Sequence, residues 1–496
     1  MNEIIDKYHE IQHKKAAYDL ALDTLYWDQL TIAPKKGQAY RNQMIAVLAG
    51  ESFDLETAPE SIEIIEKVCA DPNVDAITKI EAKQILKDLD RIRHIPKKEY
   101  VEFVQLMGDS EIIWEKAKLT NDWDLFKPYL AKVIDAVKKT VAYRKSDLPV
   151  YEQLLDDFEP GSSIATYDAF FNQVKDNLVP LIQKINEKKI KPHEILSLRV
   201  SEEKQRKVIE LLKKKLFYSD DTGYVATSVH PFSSGFSIND NRVTVAYHEE
   251  MFTSSIFSFI HEVGHATYGG QVNPEYEGRH LRSSMSYGMH ESQSRMYENM
   301  LGRSKAFWEP IYPQMVEIVN ELTPYSLDEF IFAINQVGSS LIRTEADEVT
   351  YPLHVLIRYE IEKALFADEI NIDDLPDIWA QKMEAYLQII PDSHSTGVLQ
   401  DVHWSGGAFG YFPTYALGSA YSAQWYDHMN KTLNIEQALR EDRFDLINDH
   451  LKEMIHQYGG LYTSFELFEK VCQKPFDPTY YIDYLIDKYT KIYDLQ

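Results

Sequence analysis

Cysteine is nearly absent. The 496-residue chain has two, Cys69 and Cys472, near opposite ends. That excludes a disulfide scaffold and a cysteine-rich metal site, and it fits a reducing compartment. Basic charge is also scarce: Lys and Arg number 52 against 78 Asp and Glu, a formal net charge of −26. Phosphate recognition needs a clustered basic surface, so nucleic acid is excluded as a partner. No uninterrupted apolar run reaches the about 18 residues of a membrane span, so no membrane partner is expected. Met1-Asn2-Glu3-Ile4-Ile5-Asp6-Lys7 is charged where the apolar run of a secretory signal would begin, and a cytoplasmic protein is expected. What the chain does contain is 44% hydrophobic residues and 32 Tyr. That is enough to bury a large core and to exclude disorder.

Between Tyr8 and Leu30, Ile11, Ala17, Leu20, Leu22, Leu25 and Leu30 recur at three- and four-residue steps, which predicts a helix. Pro34 and Gly37 punctuate it, and a second helical stretch runs from Ala39 to Leu48. Ile62 to Ile95 and Lys98 to Ala142 interleave charged and apolar residues without turn clusters, so both read as long helices packed on one face. Glu159-Pro160-Gly161 marks a break before a helix that ends near Lys189. Strand character concentrates between Tyr218 and Tyr247, with a hairpin turning near Asn239-Asp240-Asn241. After it the chain reads as helical to its end, apart from a Gly-rich aromatic stretch at Ser405 to Gly418. Length alone allows three domains of about 150 residues. No repeat or linker divides the chain, so one domain over 1–496 is expected, helical over about 1–150 and with its motifs between 230 and 415.

The sharpest feature is His261-Glu262-Val263-Gly264-His265. Two histidines four apart on a helix lie one turn above each other on one face, so both imidazoles can reach one Zn²⁺. Glu262 between them is near enough to act as general base on a zinc-bound water. A catalytic site needs a third protein ligand and an open position. Glu291, 26 residues after His265, is the candidate, with His290 its rival; adjacent helical residues diverge by about a quarter-turn, so the two cannot both bind. Two His and one Glu also accept Co²⁺ or Mn²⁺. Tyrosines in Phe409-Gly410-Tyr411-Phe412-Pro413-Thr414-Tyr415, read as an aromatic turn, can donate to an oxyanion.

Further motifs stand in order along the chain. They are Leu25-Tyr26-Trp27-Asp28 with Thr31, Pro34 and Arg41; Tyr151 to Gly161; His230-Pro231-Phe232; and Asp240-Asn241-Arg242-Val243-Thr244. Beyond the zinc motif come His290-Glu291-Ser292-Gln293, Ile342-Arg343-Thr344-Glu345-Ala346-Asp347 and Gly397 to Trp404. In this series the sequence resembles the carboxypeptidase Taq family of zinc metallocarboxypeptidases, over nearly its whole length. The resemblance implies a mainly α, single large two-lobed helical domain with a deep active-site groove and a small β element, similar to neurolysin and angiotensin-converting enzyme. It implies removal of single residues from peptide C-termini with broad specificity, and a homodimer. By position, His261, His265 and Glu291 are the metal ligands and Glu262 the base. A carboxypeptidase must grip a terminal carboxylate, and an arginine fork suits that task. Arg343 is the first choice, with Tyr411 as partner; the alternative for Arg343 is a salt bridge to Glu345 or Asp347 in the same helix. His403 and Tyr415 are assigned to intermediate stabilisation, and His230 to the groove lining. For Asp240 and Arg242 a wall-shaping role is at least as fitting. Val229, Val245-Ala246 and Gly269 depart from the family pattern without touching ligands or base. Two other readings stand beside the carboxypeptidase: a zinc oligoendopeptidase sharing the same site, and a non-catalytic helical peptide-binding protein.

Overall fold

In the computed structural model, which describes residues 2–144, 146–283 and 285–495, the helices of the N-terminal part form, but more finely divided than the sequence suggests. Asn2–Thr31 and Gln38–Thr57 are joined at Pro34 and a short turn through Gly37. The stretch read as one helix from Ile62 to Ile95 is two, Pro59–Ala70 and Ala76–Asp90. Asp75 caps the second by accepting the Thr78 N–H at 2.9 Å. Lys98 to Ala142 splits likewise into Lys97–Thr120 and Trp123–Val141. Asn121 there is left-handed at φ 55°, and Asp122 caps the next helix. Single short polar residues make these breaks by offering the backbone a side-chain hydrogen bond in place of a helical one.

Tyr8, Ile64, Ile65, Val68, Ala82 and Leu89 make a small apolar cluster of their own. Glu81, with no exposure, ties this part to the rest: it accepts from the Tyr8 hydroxyl at 2.9 Å and pairs with Arg279 at 2.8 Å. A second tie is Trp27, which packs edge-on against Phe232 and Phe236 beside the sheet. The main core runs from Ala117 to Tyr493.

Three strands form the β element: β1 (Val225–Thr227), β2 (Ser233–Ser237) and β3 (Asp240–Val245), in the order β1-β3-β2. The expected hairpin is β2–β3, antiparallel with a register shift between Gly235 and Ser237. β1 runs parallel to β3, with Val225 opposite Val243. The far side of β3 buries Val243 and Val245 completely, against the helix Phe252–Gly270.

Beyond the sheet the chain is less continuously helical than expected. Residues 335–350 and 388–411 are irregular apart from short 3-10 turns. Side chains satisfy their backbone instead: Asp347 accepts from the N–H groups of Gly338, Val349 and Thr350. The Gly-rich aromatic stretch needs the opposite correction. Its second half is helix, Phe412–Asn430, with Pro413 in the first turn where its missing N–H costs nothing. Tyr415 therefore sits on a helix and not in a turn. No helix among the described residues is long and apolar enough to cross a membrane.

Three helices cross at backbone contact. A Cβ on Gly264 of Phe252–Gly270 would lie 2.7 Å from Ser294 Cα of the helix Tyr287–Arg295. A Cβ on Gly418 of Phe412–Asn430 would lie 2.7 Å from Glu291 Cβ. Tyr287–Arg295 is thus held between two glycines. Gly418→Ala should destabilise the protein by about 1–3 kcal/mol despite alanine's better helix propensity, because overpacking here meets a Cβ and a carbonyl that cannot turn aside. Urea unfolding of the variant against the parent measures it.

Candidate metal centre

Helical spacing puts His261 and His265 on one face of Phe252–Gly270, their rings 4.9 Å apart and nearly perpendicular. Glu291 arrives from Tyr287–Arg295. One ligand atom of each of the three residues falls within 4.8 Å of the others, and His290 is not in the group. His261 Nε2 is 3.7 Å and His265 Nε2 3.5 Å from Glu291 Oε2. Ligand atoms about 2.1 Å from a tetrahedral zinc stand about 3.4 Å apart, so the donors fit a divalent ion in spacing and in type. Glu262, next to His261 and 7% exposed, is left over as a carboxylate beside the cluster.

The other ring nitrogens are held from outside. His261 Nδ1 is 3.0 Å from Glu298 Oε2, and His265 Nδ1 is 2.6 Å from His290 Nδ1. The Arg295 Nε donates to Glu291 Oε1 at 2.6 Å and its Nη1 reaches Glu298 at 3.2 Å; Arg303 reaches the other oxygen of Glu298 at 3.2 Å. Burial alone would raise both carboxyl groups. Arg295 and His261 outweigh it, holding Glu291 well below the usual carboxylate range and Glu298 down to about 2. Burial also pushes His290 down to about 3, helped by the neighbouring His265.

Arg295 stacks over the Tyr351 ring at 4.4 Å, and the Tyr351 hydroxyl accepts from Arg343 Nη1 at 3.2 Å. Tyr351 so joins the histidine–glutamate cluster to the arginine. Arg343 itself is 6% exposed and stands on a 3-10 turn, Arg343–Glu345, rather than in a helix. Its ion pair is not with Glu345 or Asp347. Nε and Nη2 both bond Asp401 Oδ1, at 3.2 and 3.0 Å. Arg358, with no exposure, holds the second oxygen of Asp401 at 2.7 Å through Nε. Of the five N–H groups on Arg343 three are used, leaving one on each terminal nitrogen. The Tyr415 ring lies 5.3 Å from this guanidinium and Phe412 5.2 Å.

Tyr415 donates to the Tyr411 oxygen at 3.1 Å, which leaves the Tyr411 proton free. Burial raises both phenols, so they stay protonated donors. Tyr411 stacks on His403 at 5.5 Å and meets Tyr287 and Phe158 edge-on. His403 is pushed down to about 4 by burial and by Arg343 and Arg358 against the pull of Asp401, so it is neutral at pH 7. One buried carboxylate braces this segment: Glu362 accepts from Trp404 Nε1 at 2.7 Å, the Gly410 N–H at 2.8 Å and the Tyr151 hydroxyl at 2.9 Å.

His230 is not brought to the cluster by any hydrogen bond; it stands exposed between β1 and β2, where Val229 is 82% exposed. Asp240 and Arg242 form a two-pronged pair at 2.8 and 2.7 Å, with the guanidinium over Phe236. Gly269 has a steric reason: a Cβ there would meet Asn241 Oδ1 at 2.9 Å. Sequence reasoning gave no role to Glu298, Arg295, Tyr351, Asp401 or Glu362. The first two carried a signal, since Glu291, Arg295 and Glu298 recur at helical spacing.

A two-histidine, one-glutamate donor set with an uncommitted carboxylate beside it is the arrangement of a metallopeptidase. Comparison with known proteins narrows the class: the chain belongs to the carboxypeptidase Taq (M32) metallopeptidase family, whose profile matches residues 7–489. Carboxypeptidase 1 of Bacillus subtilis is 37% identical over 495 residues, 99% of this chain and 98% of that one. Thermostable carboxypeptidase 1 of Thermus thermophilus is 36% identical over 497 residues, 97% of each. A solved structure of the Pyrococcus furiosus carboxypeptidase, apo-Mg, aligns with a TM-score of 0.95 at 32% identity over 99% of both chains. The protein is accordingly a metallocarboxypeptidase; the family supports neither the endopeptidase nor the non-catalytic binder.

Burial lifts Glu362 from the ordinary 4.5 to about 7, against the three donors that pull it back. A carboxyl raised on folding contributes stability that is complete below about pH 4.5 and lost as pH rises through about 7. Glu362→Gln should therefore show a flatter decline of unfolding free energy between about pH 5 and pH 7, by a slope approaching 1.4 kcal/mol per pH unit. Urea titrations of both proteins across that range check it.

Proposed function

We propose that the chain hydrolyses the C-terminal bond of peptides with broad specificity, using zinc held by His261, His265 and Glu291. The observation that carries the reading is the convergence of both Nε2 atoms on Glu291 Oε2, at 3.7 and 3.5 Å, with Glu262 buried beside them. A bound divalent ion supplies Lewis acidity there, lowering the pKa of a water and polarising the scissile carbonyl. Glu262 takes the proton from the attacking water and returns it to the leaving amine. The free hydroxyl proton of Tyr411, with Tyr415 donating to its oxygen, is the donor assigned to the developing oxyanion. Neutral His403, stacked on Tyr411, fixes that ring and is a second donor for the same charge.

Arg343 receives the terminal carboxylate on its two remaining N–H groups. Asp401 and Arg358 hold the guanidinium in place, and the Tyr351 hydroxyl sets its rotation. His230, on its exposed turn, is proposed to line the approach. Cobalt and manganese suit the same donors, and metal analysis of the purified protein distinguishes them. The two free cysteines fit the cytoplasm. The homodimer rests on family resemblance, and light scattering tests it.

Glu262→Gln should keep the fold and bound metal and lose about 10²–10⁴-fold in kcat. Release of C-terminal residues at the parent rate by this variant would refute the mechanism. Arg343→Met should lower kcat/KM by about 10–100-fold on a free C-terminus, the worth of a charge-assisted pair of hydrogen bonds. On the same peptide with an amidated C-terminus, which parent and variant should both cleave poorly, it should change little.

A further inference from the structure

The two histidines of the metal motif are held differently. His261 Nδ1 faces the carboxylate of Glu298 at 3.0 Å, whereas His265 Nδ1 faces another imidazole nitrogen, His290 Nδ1, at 2.6 Å. Two Nδ1 atoms at that distance share one proton, and one ring must donate it. His265 directs Nε2 to the cluster, 3.5 Å from Glu291 Oε2. A histidine that binds through Nε2 keeps its proton on Nδ1. The donor is therefore His265, and His290 accepts through the Nδ1 lone pair.

The surroundings hold His290 to that orientation. Its ring is 4.6 Å from that of His265 and 5.2 Å from that of Tyr268. Tyr268 packs in turn on His456 at 4.9 Å, and His456 is fixed by Gln271 and Gln293 at 2.6 and 2.9 Å. A layer of rings thus backs the bond from behind, and the buried Glu159 nearby accepts from the Gly288 N–H at 2.9 Å. Glu291 is the residue after His290, so one short helix delivers both a candidate ligand and the group that orients another.

We propose that His290 is a positioning residue for the metal site: as a neutral acceptor it locks His265 in the tautomer and rotation that present Nε2 to the ion. The proposal rests on the reading of His265 as a ligand and deepens it. It replaces the rivalry between His290 and Glu291 by a division of labour. It also makes the two histidines unequal, since a carboxylate raises the basicity of its partner ring more than an imidazole does.

The test is zinc affinity of the apoprotein, read by competition with a chromophoric chelator and independent of turnover. His290→Leu removes the acceptor and should weaken binding by about 10–100-fold. His290→Asn, whose side-chain oxygen falls where Nδ1 now lies, should remain within about threefold of the parent. His290→Gln carries its amide on to the Nε2 position and should behave like Leu. Should the Leu variant fail to fold, by its thermal melt, the Asn and Gln pair reads the same contrast. Equal weakening in Asn and Gln, or parental affinity in Leu, overturns the proposal. His265→Ala is the control: if it costs no affinity the ligand assignment itself falls, and if it costs affinity while His290→Leu does not, only the role of His290 falls.

Discussion

Backbone contact at two glycines sets the geometry on which everything else at the site depends. Tyr287–Arg295 lies against Gly264 on one side and Gly418 on the other, and neither position has room for a methyl group. Helices normally pack with axes about 8–10 Å apart, kept there by the side chains between them. Removing those side chains at the crossing draws Glu291 close enough for a short carboxylate to meet both histidines. A displacement of about 1 Å is enough to cost a catalytic site on the order of 10²-fold. Gly264 lies within His261-Glu262-Val263-Gly264-His265, so the motif carries the close approach of the helix bearing Glu291 as well as two imidazoles and a carboxylate.

Close approach buries charge, and the structure answers with alternation. Glu298, Arg295 and Glu291 follow one another, with Arg303 on the outer oxygen of Glu298. Arg343, Asp401 and Arg358 repeat the pattern with signs reversed. A buried ion left unpaired costs several kcal/mol, so removing one member of either chain leaves its neighbour exposed to that penalty. Tyr351 joins the two chains, lying under Arg295 by its ring and bonded to Arg343 by its hydroxyl. The end that would hold metal and the end that would hold a carboxylate are therefore one rigid assembly.

Much of this was legible in the sequence, for reasons that differ by residue. His261, His265 and Glu262 are local: a helical turn relates them, and spacing suffices. Glu291 needed the crossing of a second helix, which spacing cannot show, and only the resemblance chose it over His290. Arg343 was singled out by chemistry, but its partner was sought at i+2 and i+4 along a supposed helix. The real partner, Asp401, is 58 residues away and reaches Arg343 through two irregular segments. Tyr351 was hidden among 32 tyrosines. The N-terminal helices were read as too long because one Asp or Asn ends a helix without lowering its periodicity.

The irregular segments also bear on where a peptide must end. Residues 335–350 and 388–411 carry Arg343 and Asp401 and are tied together by Gln400, which accepts the Arg343 N–H at 3.0 Å and donates to the Leu341 carbonyl at 3.1 Å. Trp114 and Lys118, from Lys97–Thr120, bond the carbonyls of Leu399 and Gln400 at 3.1 and 2.8 Å. Arg343 is walled in by this knot and by the rings of Phe412, Tyr415 and Tyr351. On the role proposed for Arg343, an internal segment of a longer chain would have to pass those contacts to place a bond at the candidate metal centre. On that reading, a terminal residue would have only to stop there, with its carboxylate on the two free N–H groups. Selectivity for chain ends would then come from the packing around Arg343 as much as from its charge.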